Sequence, residues 1–315
     1  MKGSTKRFAA IDIGTNTILL LIAELGEDGT FRLLDDRAEI TRLGEGVDRT
    51  RRIGSDGEER SVRVLRSYLK RCRNLSVDEI VTVGTSALRD ARNAEDFKAR
   101  LKQELGWDLR VLSGEEEAAY SYLAVQRGLA LEGKEVLVVD VGGGSTEFIW
   151  GRGGVLHRSI SLNLGSVRLT ERFLISDPAR EEECARLAMT IDRELEPLRV
   201  DWTMEGRFQT MVGIAGTFTT LVAIEKGLRQ YSHSEVHGSL LYRAEVLRQI
   251  QLFKTKTIAE RREIPGLEPK RADVILAGAM LIERIMALFR VDQVTVSDQG
   301  IRYGLLHERL SAFHR

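Results

Sequence analysis

Short apolar runs of strand length alternate along this chain with segments whose apolar residues recur at spacings of three and four. The runs predict strands and the periodic segments predict helices. Two runs, at 7–13 and 18–25, flank a tight turn and predict a β-hairpin. The first half then predicts a helix at 56–73, a strand at 79–85, a helix at 94–105, a strand at 108–112 and a helix from 113 to about 130. This alternation is typical of α/β architecture.

The opening hairpin pattern returns in the second half, with a strand at 135–140, a glycine-rich turn and a return strand at 146–151. The aspartates that end the two first strands, Asp12 and Asp140, lie 140 − 12 = 128 residues apart. We interpret the repeat as a duplicated unit, with one copy in each domain. Further predicted elements are strands at 157–162, 210–214 and 293–297, and helices at 166–174, 179–198, 243–253, 258–263, 269–289 and 300–313.

Two helix starts carry capping-box patterns, in which a serine is followed three residues later by a glutamate. The first is Ser55 with Glu58, and the second is Ser113 with Glu116. Both patterns predict a helix that begins at or just after the serine.

Length and composition restrict the class of protein. At 315 residues the chain predicts two domains with a cleft between them, and 43% hydrophobic with 30% charged residues fits a globular protein. Lys plus Arg equals Asp plus Glu, which argues against a nucleic-acid partner. The apolar stretch 18–23 is too short for a membrane span, and no signal peptide or anchor is predicted. Two distant cysteines, Cys72 and Cys184, fit a reducing, cytoplasmic location.

Three glycine-containing turns follow apolar strands, at 14–17, 141–145 and 213–217. Backbone N–H groups in such turns can converge on phosphate oxygens, because small residues permit close approach. A single turn of this kind is more often structural than functional. Three of them in this arrangement favour a phosphate-rich ligand.

Carboxylates at two strand ends suggest a metal. Asp12 and Asp140 each end a strand, and Glu147 lies on the return strand after Asp140. A carboxylate at such a position is costly unless it is solvated or binds a cation. Hard oxygen ligands suit Mg²⁺, which uses one or two carboxylates together with substrate phosphates and water. A turn-capping role is the alternative for either aspartate alone.

The motifs together resemble one family. The chain is similar to exopolyphosphatases and guanosine pentaphosphate phosphohydrolases of the Ppx/GppA family from Phe8 to about Leu310, in a two-domain form. The glycine turns alone would equally fit sugar kinases, actin or heat-shock chaperones. The resemblance is carried by residues 10–16, 85–89, 113–118, 140–147, 213–217, 236–238, 271–275 and 297–302.

The resemblance implies two actin-like (ribonuclease H-like) α/β domains, of residues 1–117 with 298–315 and of residues 118–297, with the active site in the interdomain cleft. The implied catalytic residues are Glu117, as general base, Glu147 and Arg89. Implied phosphate ligands are Thr15, Asn16, Gly142, Gly143, Gly144, Ser145, Thr146, Gly216 and Thr217, and implied Mg²⁺ ligands are Asp12, Asp140 and Glu147. Without the resemblance, a run of three glutamates at a helix start is more simply read as solvated.

Several arginines are candidate contacts for a polyanion outside the reaction centre. These are Arg89 with Arg92 close by, and the cluster Arg49, Arg51 and Arg52, for which solvated surface residues are the alternative reading. Lys270 and Arg271 open a predicted helix, where cations are unfavourable, and a nearby ligand phosphate would explain them. His237 fits the resemblance but reads equally well as a structural histidine.

The expected activity is release of terminal orthophosphate from inorganic polyphosphate, with guanosine pentaphosphate as the alternative substrate and a place in the stringent response. Two other classes stay open. A kinase would use the same turns with ATP, and a non-catalytic sensor would bind polyphosphate or alarmone without turnover. The intact carboxylates and Glu117 argue against both. Either a monomer or a homodimer is compatible with the sequence.

Overall fold

The computed structural model describes residues 6–26, 29–131, 133–202 and 208–313. The chain forms two compact units, unit 1 of residues 1–127 with 300–315 and unit 2 of residues 128–299. The division after 127 differs from the predicted boundary after 117, because the helix that begins at Gly114 contributes Tyr120 and Ala124 to a core of unit 1. Each unit contains one mixed sheet with helices, so the α/β prediction is confirmed.

The sheet of unit 1 has the strand order β3-β2-β1-β4-β5. Strands β1 and β2 are antiparallel, whereas β4 and β5 run parallel to β1. The strands are β1 (Lys6–Ile13), β2 (Thr17–Leu25), β3 (Phe31–Ile40), β4 (Glu79–Gly84) and β5 (Leu109–Val111). The predicted opening hairpin is therefore confirmed.

The sheet of unit 2 has the order β10-β11-β9-β6-β7-β8, in which β6 and β7 repeat the hairpin of β1 and β2. Strands β6, β9 and β11 are parallel, so their carboxyl ends lie at one edge of the sheet. The strands are β6 (Glu135–Val141), β7 (Thr146–Arg152), β8 (Val155–Leu162), β9 (Thr210–Ile214), β10 (Ser239–Tyr242) and β11 (Gln293–Val296).

Helices cover the sheets, and most of the predicted ones are present. The helices are α1 (Val47–Thr50), α2 (Ser55–Asn74), α3 (Ser86–Asp90), α4 (Ala94–Leu105), α5 (Gly114–Gly128), α6 (Ser166–Phe173), α7 (Glu181–Asp201), α8 (Ala215–Glu225), α9 (His233–Val236), α10 (Arg243–Lys254), α11 (Ile258–Arg261), α12 (Ile275–Leu288) and α13 (Ile301–Phe313). The predicted helix at 269–289 is a 3-10 turn, Pro269–Arg271, followed by α12.

The two predicted capping boxes have different outcomes. Ser113 and Glu116 exchange the expected bonds, at 3.1 Å and 2.8 Å. The box at Ser55 is wrong, because α2 is capped by Gly54 without a side-chain bond and Glu58 accepts a hydrogen bond from Arg100 instead.

Strand β1 shows how the sequence builds a sheet buried on both faces. Ile11 and Ile13 belong to the core shared with α2 and α4, whereas Phe8 and Ala10 face the core that includes residues of α5 and α13. This alternation follows from the two-residue period of a strand. Among the described residues, none of the helices combines the length and the apolar composition needed to cross a bilayer.

Candidate active site

The turn of the first hairpin directs its carbonyl groups toward the segment that follows β3. The amide of Gly44 donates to the carbonyl of Thr15 at 2.8 Å, and the amides of Thr41 and Arg42 both donate to the carbonyl of Asn16 at 3.0 Å. Within the described residues, the amides of Thr15 and Asn16 donate no backbone hydrogen bond.

The turn of the second hairpin repeats this plan. The carbonyl of Gly142 accepts from the amide of Ser166 at 3.0 Å, and that of Gly143 accepts from the amide of Val167 at 2.9 Å. The amides of Gly143, Gly144 and Ser145 have no backbone acceptor in the part of the chain that the structure describes. Successive amides whose carbonyls are engaged elsewhere form an anion-binding concavity. The structure thus gives both predicted turns a geometry suited to phosphate.

The hydroxyl of Thr146, which was predicted to be a phosphate ligand, donates to the protein itself, and its phosphate role stays a prediction. Its side chain is fully buried, and its hydroxyl donates to the carbonyl of Leu164 at 2.6 Å. That bond ties β7 to the segment before α6. The hydroxyl is therefore occupied in holding the turn, whereas the amides of Gly143, Gly144 and Ser145 have no backbone acceptor within the described residues.

Sequence reasoning missed Arg168, which is buried beside the second turn. Its Nε donates to the carbonyl of Gly144 at 2.8 Å. A guanidinium against a turn with unused amides adds positive charge where an anion would bind. No local signal marks this arginine, because it lies inside an ordinary amphipathic helix.

The third predicted turn is the junction between β9 and α8. Helix α8 begins directly at Ala215, which has a φ of 72°. Gly216 and Thr217 therefore lie in its first turn, where amides and the helix dipole favour an anion. A Cβ on Gly216 would meet Nη2 of Arg271 at 2.3 Å, so glycine makes room for a guanidinium there. Burial lowers the pKa of Arg271, and Glu268 and Tyr231 act in the opposite direction.

Asp12 is buried at the carboxyl end of β1, and its Oδ1 has no hydrogen-bond partner among the described residues. Burial raises the pKa of Asp12 to about 7, and the charge of Arg302 acts in the opposite direction. An orphaned carboxylate oxygen is costly, and a bound cation would satisfy it. The residue therefore fits its predicted role as a magnesium ligand.

Asp140 and Glu147 are register partners across β6 and β7. Directly opposed residues in antiparallel strands have Cβ atoms about 4.5–5.5 Å apart, so two negative carboxylates there repel each other unless a cation lies between them. Oε1 of Glu147 also accepts from the hydroxyl of Ser161 at 2.7 Å. In the described ranges no group of three or more His, Cys, Asp or Glu side chains is placed to hold a metal ion.

The structure distinguishes Glu117 from its neighbours at the start of α5. Glu115 and Glu116 are exposed, whereas Glu117 is buried and its side chain is 7% exposed. Arg89, at the end of α3, donates from Nη1 to Oε2 of Glu117 and to the carbonyl of Leu112 at 2.8 Å. Arg89 thus orients the predicted base, a role that sequence reasoning had not given it.

The arginines predicted to contact a polyanion outside the reaction centre, apart from Arg89, are exposed. The segment that carries them is held by Asn93, whose Oδ1 accepts from the amide of Ile53 at 2.8 Å and whose Nδ2 donates to the carbonyl of Ile53 at 3.1 Å. Arg51 forms an ion pair with Asp90 at 3.3 Å. Arg49, Arg52 and Arg92 are exposed. Their contact with a polyanion stays a prediction.

A cluster of ionisable side chains surrounds Asp298, just after β11. Nδ1 of His237 lies 3.1 Å from Oδ1 of Asp298, and Nε2 faces the carbonyl of Gly128 at 3.2 Å. His233 is hydrogen bonded to the other oxygen. The bond to Asp298 raises the pKa of His237. Burial alone would raise the pKa of Asp298, but hydrogen bonds from the two histidines outweigh it and hold that pKa well below its usual range.

We expect Asp298→Asn to lower the free energy of unfolding most between about pH 4 and 6.5. Because the pKa of His237 is raised, this residue stabilises the folded protein at pH values below its unfolded pKa of about 6.5, and the contribution is lost as the pH rises. Because the pKa of Asp298 is lowered, this residue stabilises the folded protein at pH values above its unfolded pKa of about 3.9, and the contribution is lost as the pH falls. Denaturant titration should show a loss of roughly 2–4 kcal/mol at pH 5.5 that shrinks above pH 8.

Asp292→Asn is the matched control, since Asp292 is exposed in the same unit. A loss for Asp298→Asn that is equally large at pH 5.5 and pH 9 would show that the cluster is not held by charge.

A solved structure shares this architecture over its whole length. The Aquifex aeolicus member of the Ppx/GppA protein family is 37% identical in sequence to this chain and superimposes on it with a TM-score of 0.82. The match covers 99% of this chain and 100% of the Aquifex aeolicus chain. The predicted fold class of two α/β domains is confirmed.

The Ppx/GppA phosphatase family model matches residues 21–313. Exopolyphosphatase 2 of Mycobacterium tuberculosis is 36% identical over 95% of this chain and 97% of its own length. The bifunctional 3-dehydroquinate synthase/phosphatase of Fusobacterium nucleatum is 33% identical over 95% of this chain, which spans only 46% of that larger protein. The chain belongs to the Ppx/GppA phosphatase family. The predicted enzyme class, a phosphoanhydride hydrolase, is confirmed.

Proposed function

We propose that this chain is an exopolyphosphatase, which releases terminal orthophosphate from inorganic polyphosphate by Mg²⁺-assisted attack of water. The observation that carries the proposal is the second hairpin turn, where three successive amides have no backbone acceptor within the described residues. They suit a chain of phosphates because amides bind phosphate oxygens without recognising any other group. Relatives named exopolyphosphatase support the same substrate.

The protein groups in the proposed reaction are backbone amides of the second hairpin turn and one buried carboxylate. In unit 2, the amides of Gly143, Gly144 and Ser145 bind terminal phosphate oxygens and stabilise charge that develops on them. In unit 1, Glu117 accepts a proton from the attacking water, and Arg89 holds its carboxylate in one orientation. The bridging P–O bond then breaks and the shortened polyphosphate leaves. No covalent phosphoenzyme is needed.

Mg²⁺ fits the carboxylates that the structure presents. Asp12 offers an unsatisfied oxygen, and Asp140 with Glu147 form an opposed pair. We propose that one or two of these three carboxylates hold the ion, together with substrate phosphates and water. When bound, the ion would neutralise charge on the phosphate oxygens and polarise water.

Orthophosphate release from long-chain polyphosphate and from guanosine pentaphosphate, measured in parallel with Mg²⁺, tests the function. A higher kcat/KM for polyphosphate supports the proposal. A higher value for guanosine pentaphosphate would identify the chain as a guanosine pentaphosphate phosphohydrolase instead. No release from either, with a folded protein, would favour a sensor.

We expect Glu147→Gln to remove most of the stabilisation that Mg²⁺ gives the protein. In EDTA the variant should be as stable as the wild type or more stable by about 0.2–1 kcal/mol, because one opposed charge is gone. Mg²⁺ at a hundred times its Kd should stabilise the wild type by about 2.7 kcal/mol and the variant far less. Thermal melts with EDTA and with MgCl₂ measure both.

Glu39→Gln is the matched control, since Glu39 lies on a strand opposite the apolar Ile18. Equal Mg²⁺ stabilisation of wild type and Glu147→Gln would exclude Glu147 as a ligand.

A further inference from the structure

Arg302, at the start of α13, is a buried cation with a buried anionic partner. Its Nη1 donates to Oδ1 of Asp36 on β3, and both side chains are 6% exposed. Oδ2 of Asp36 accepts from the hydroxyl of Tyr303 at 3.0 Å, and the guanidinium carbon of Arg302 lies 5.5 Å from the centre of the Tyr303 ring. Asp36 and Tyr303 together therefore hold the guanidinium in one place.

Asp12 and Asp36 lie on the face of the unit 1 sheet that α13 covers. Ala10, two residues before Asp12 on β1, pairs with Leu21 on β2, and Leu21 pairs with Asp36 on β3. Ala10 and Leu21 belong to the core that includes residues of α13. Because alternate residues of a strand share a face, and paired residues of neighbouring strands do too, both carboxylates point toward the side of Arg302.

The charge of Arg302 acts on Asp12, yet the structure shows no hydrogen bond between the two side chains. Burial raises the pKa of Asp12, and the positive charge of Arg302 acts against it. Oδ1 of Asp12 and Nε of Arg302 are both buried without a hydrogen-bond partner among the described residues. Such a donor and such an acceptor are each costly alone and would gain by bonding to each other. The position of the guanidinium is instead set by Asp36 and Tyr303.

The ion pair of Arg302 with Asp36 is not explained by stability alone. Removing two charges from water costs about as much as their attraction returns, so a buried ion pair adds little net stability. Its location suggests an effect on the neighbouring carboxylate. A guanidinium bonded to Asp12 would occupy that carboxylate and repel a divalent cation, whereas a guanidinium bonded to Asp36 leaves Oδ1 of Asp12 available.

We infer that Asp36, with Tyr303, is a positioning residue that holds Arg302 away from Asp12 and so keeps the Asp12 carboxylate available to Mg²⁺. The inference rests on the proposed function, in which Asp12 is a candidate ligand of the ion. It gives strand β3 a role in metal affinity, which Asp36 exerts through Arg302 and Asp12.

The experiment measures the affinity for Mg²⁺ in the absence of substrate. Calorimetric titration of the full chain with MgCl₂ gives the Kd, and thermal melts over a range of MgCl₂ concentrations check it. The proteins are wild type, Asp12→Asn, Asp36→Asn, Tyr303→Phe and the double variant Asp36→Asn with Arg302→Met.

Asp35→Asn is the matched control. Asp35 precedes Asp36 on β3 and pairs with Ile22, which belongs to the core on the other face of the sheet. Its carboxylate forms an ion pair with Arg71 on α2 at 2.5 Å. Asp35→Asn therefore removes a paired carboxylate from the same strand without releasing Arg302, and its Kd for Mg²⁺ should match the wild type.

Asp36→Asn should weaken Mg²⁺ binding about tenfold or more, because Arg302 then prefers the charged oxygens of Asp12 to a neutral amide. The double variant also lacks the guanidinium, so its affinity should return to within about threefold of the wild type. Damage to packing alone would not be repaired by a second substitution. Tyr303→Phe removes one hydrogen bond to Asp36 and should weaken Mg²⁺ binding about threefold.

Three outcomes would overturn the inference. The first is a wild-type Kd for Mg²⁺ in Asp36→Asn, or in Tyr303→Phe should Asp36→Asn not fold. The second is a double variant that binds Mg²⁺ no better than Asp36→Asn. The third is wild-type Mg²⁺ binding by Asp12→Asn, which would exclude Asp12 as a ligand. Failure of the proposed hydrolysis would appear separately, as the expected order of Mg²⁺ affinities without orthophosphate release from polyphosphate.

Discussion

Replacing Glu117 with glutamine is expected to lower kcat for orthophosphate release by about 10²–10⁴-fold, because the group that takes the proton from water is lost. Glutamine has nearly the same volume, and its carbonyl oxygen can still accept from Arg89. We therefore expect the melting temperature and the KM for polyphosphate to change little. Steady-state phosphate release with Mg²⁺, together with a thermal melt, measures all three quantities.

Glu115→Gln provides the control, since Glu115 lies in the same helical turn but is exposed. It should keep the wild-type rate. If Glu117→Gln also keeps a rate close to that of the wild type, another group must act as the base.

Gly165→Ala is expected to impair the second hairpin turn from outside it. Gly165 precedes α6 with an extended backbone, so alanine suits its φ of −150°. The new Cβ, however, would lie 2.3 Å from the carbonyl oxygen of Gly143 and 2.5 Å from the amide nitrogen of Gly144. Backbone atoms cannot rotate away, so the turn itself must move. We expect a loss of about 1–3 kcal/mol of stability and, for a shift near 1 Å, about 10²-fold lower kcat/KM.

Gly54→Ala is a close control, because Gly54 also precedes a helix and a Cβ there would meet nothing within 4 Å. Its stability and kcat/KM should match the wild type. A Gly165→Ala protein with full kcat/KM for polyphosphate would show that the turn does not bind phosphate.

The strands that carry the turns could be predicted from sequence because their signals are local. An apolar run, a glycine turn and a second apolar run require no distant partner to be recognised. Strand β3 was missed for the opposite reason. Half of its ten residues are charged, and it is held by pairing with β2, by Arg71 bound to Asp35 at 2.5 Å, and by Arg302 bound to Asp36. Arg302 lies 266 residues further along the chain, so no local pattern reveals it.

The choice among the three glutamates of α5 was predictable in part. Glu116 is committed to the capping box with Ser113, which the spacing indicates. Glu117 lies three and four residues before Tyr120 and Ser121, both buried, so helical period places it on the inward face. Its bond to Arg89 could not be predicted, because it depends on where α3 and α5 meet. The same holds for Arg168, which donates to the carbonyl of Gly144, and for Arg271, whose guanidinium lies beside Gly216.

The donors of the hairpin turns are main-chain groups, which has a consequence for kinetics. Backbone amides neither gain nor lose protons across the pH range in which proteins stay folded. The capacity of these amides to donate hydrogen bonds to phosphate therefore does not change with pH. The pH dependence of turnover should therefore report on the carboxylates and on the ionisation of the substrate. Nor can any side-chain truncation remove such a donor. Variation at this part of the site has to act by displacing the main chain, and this exposes the packing partners of the turns, such as Gly165, to the same functional constraint as the turns themselves.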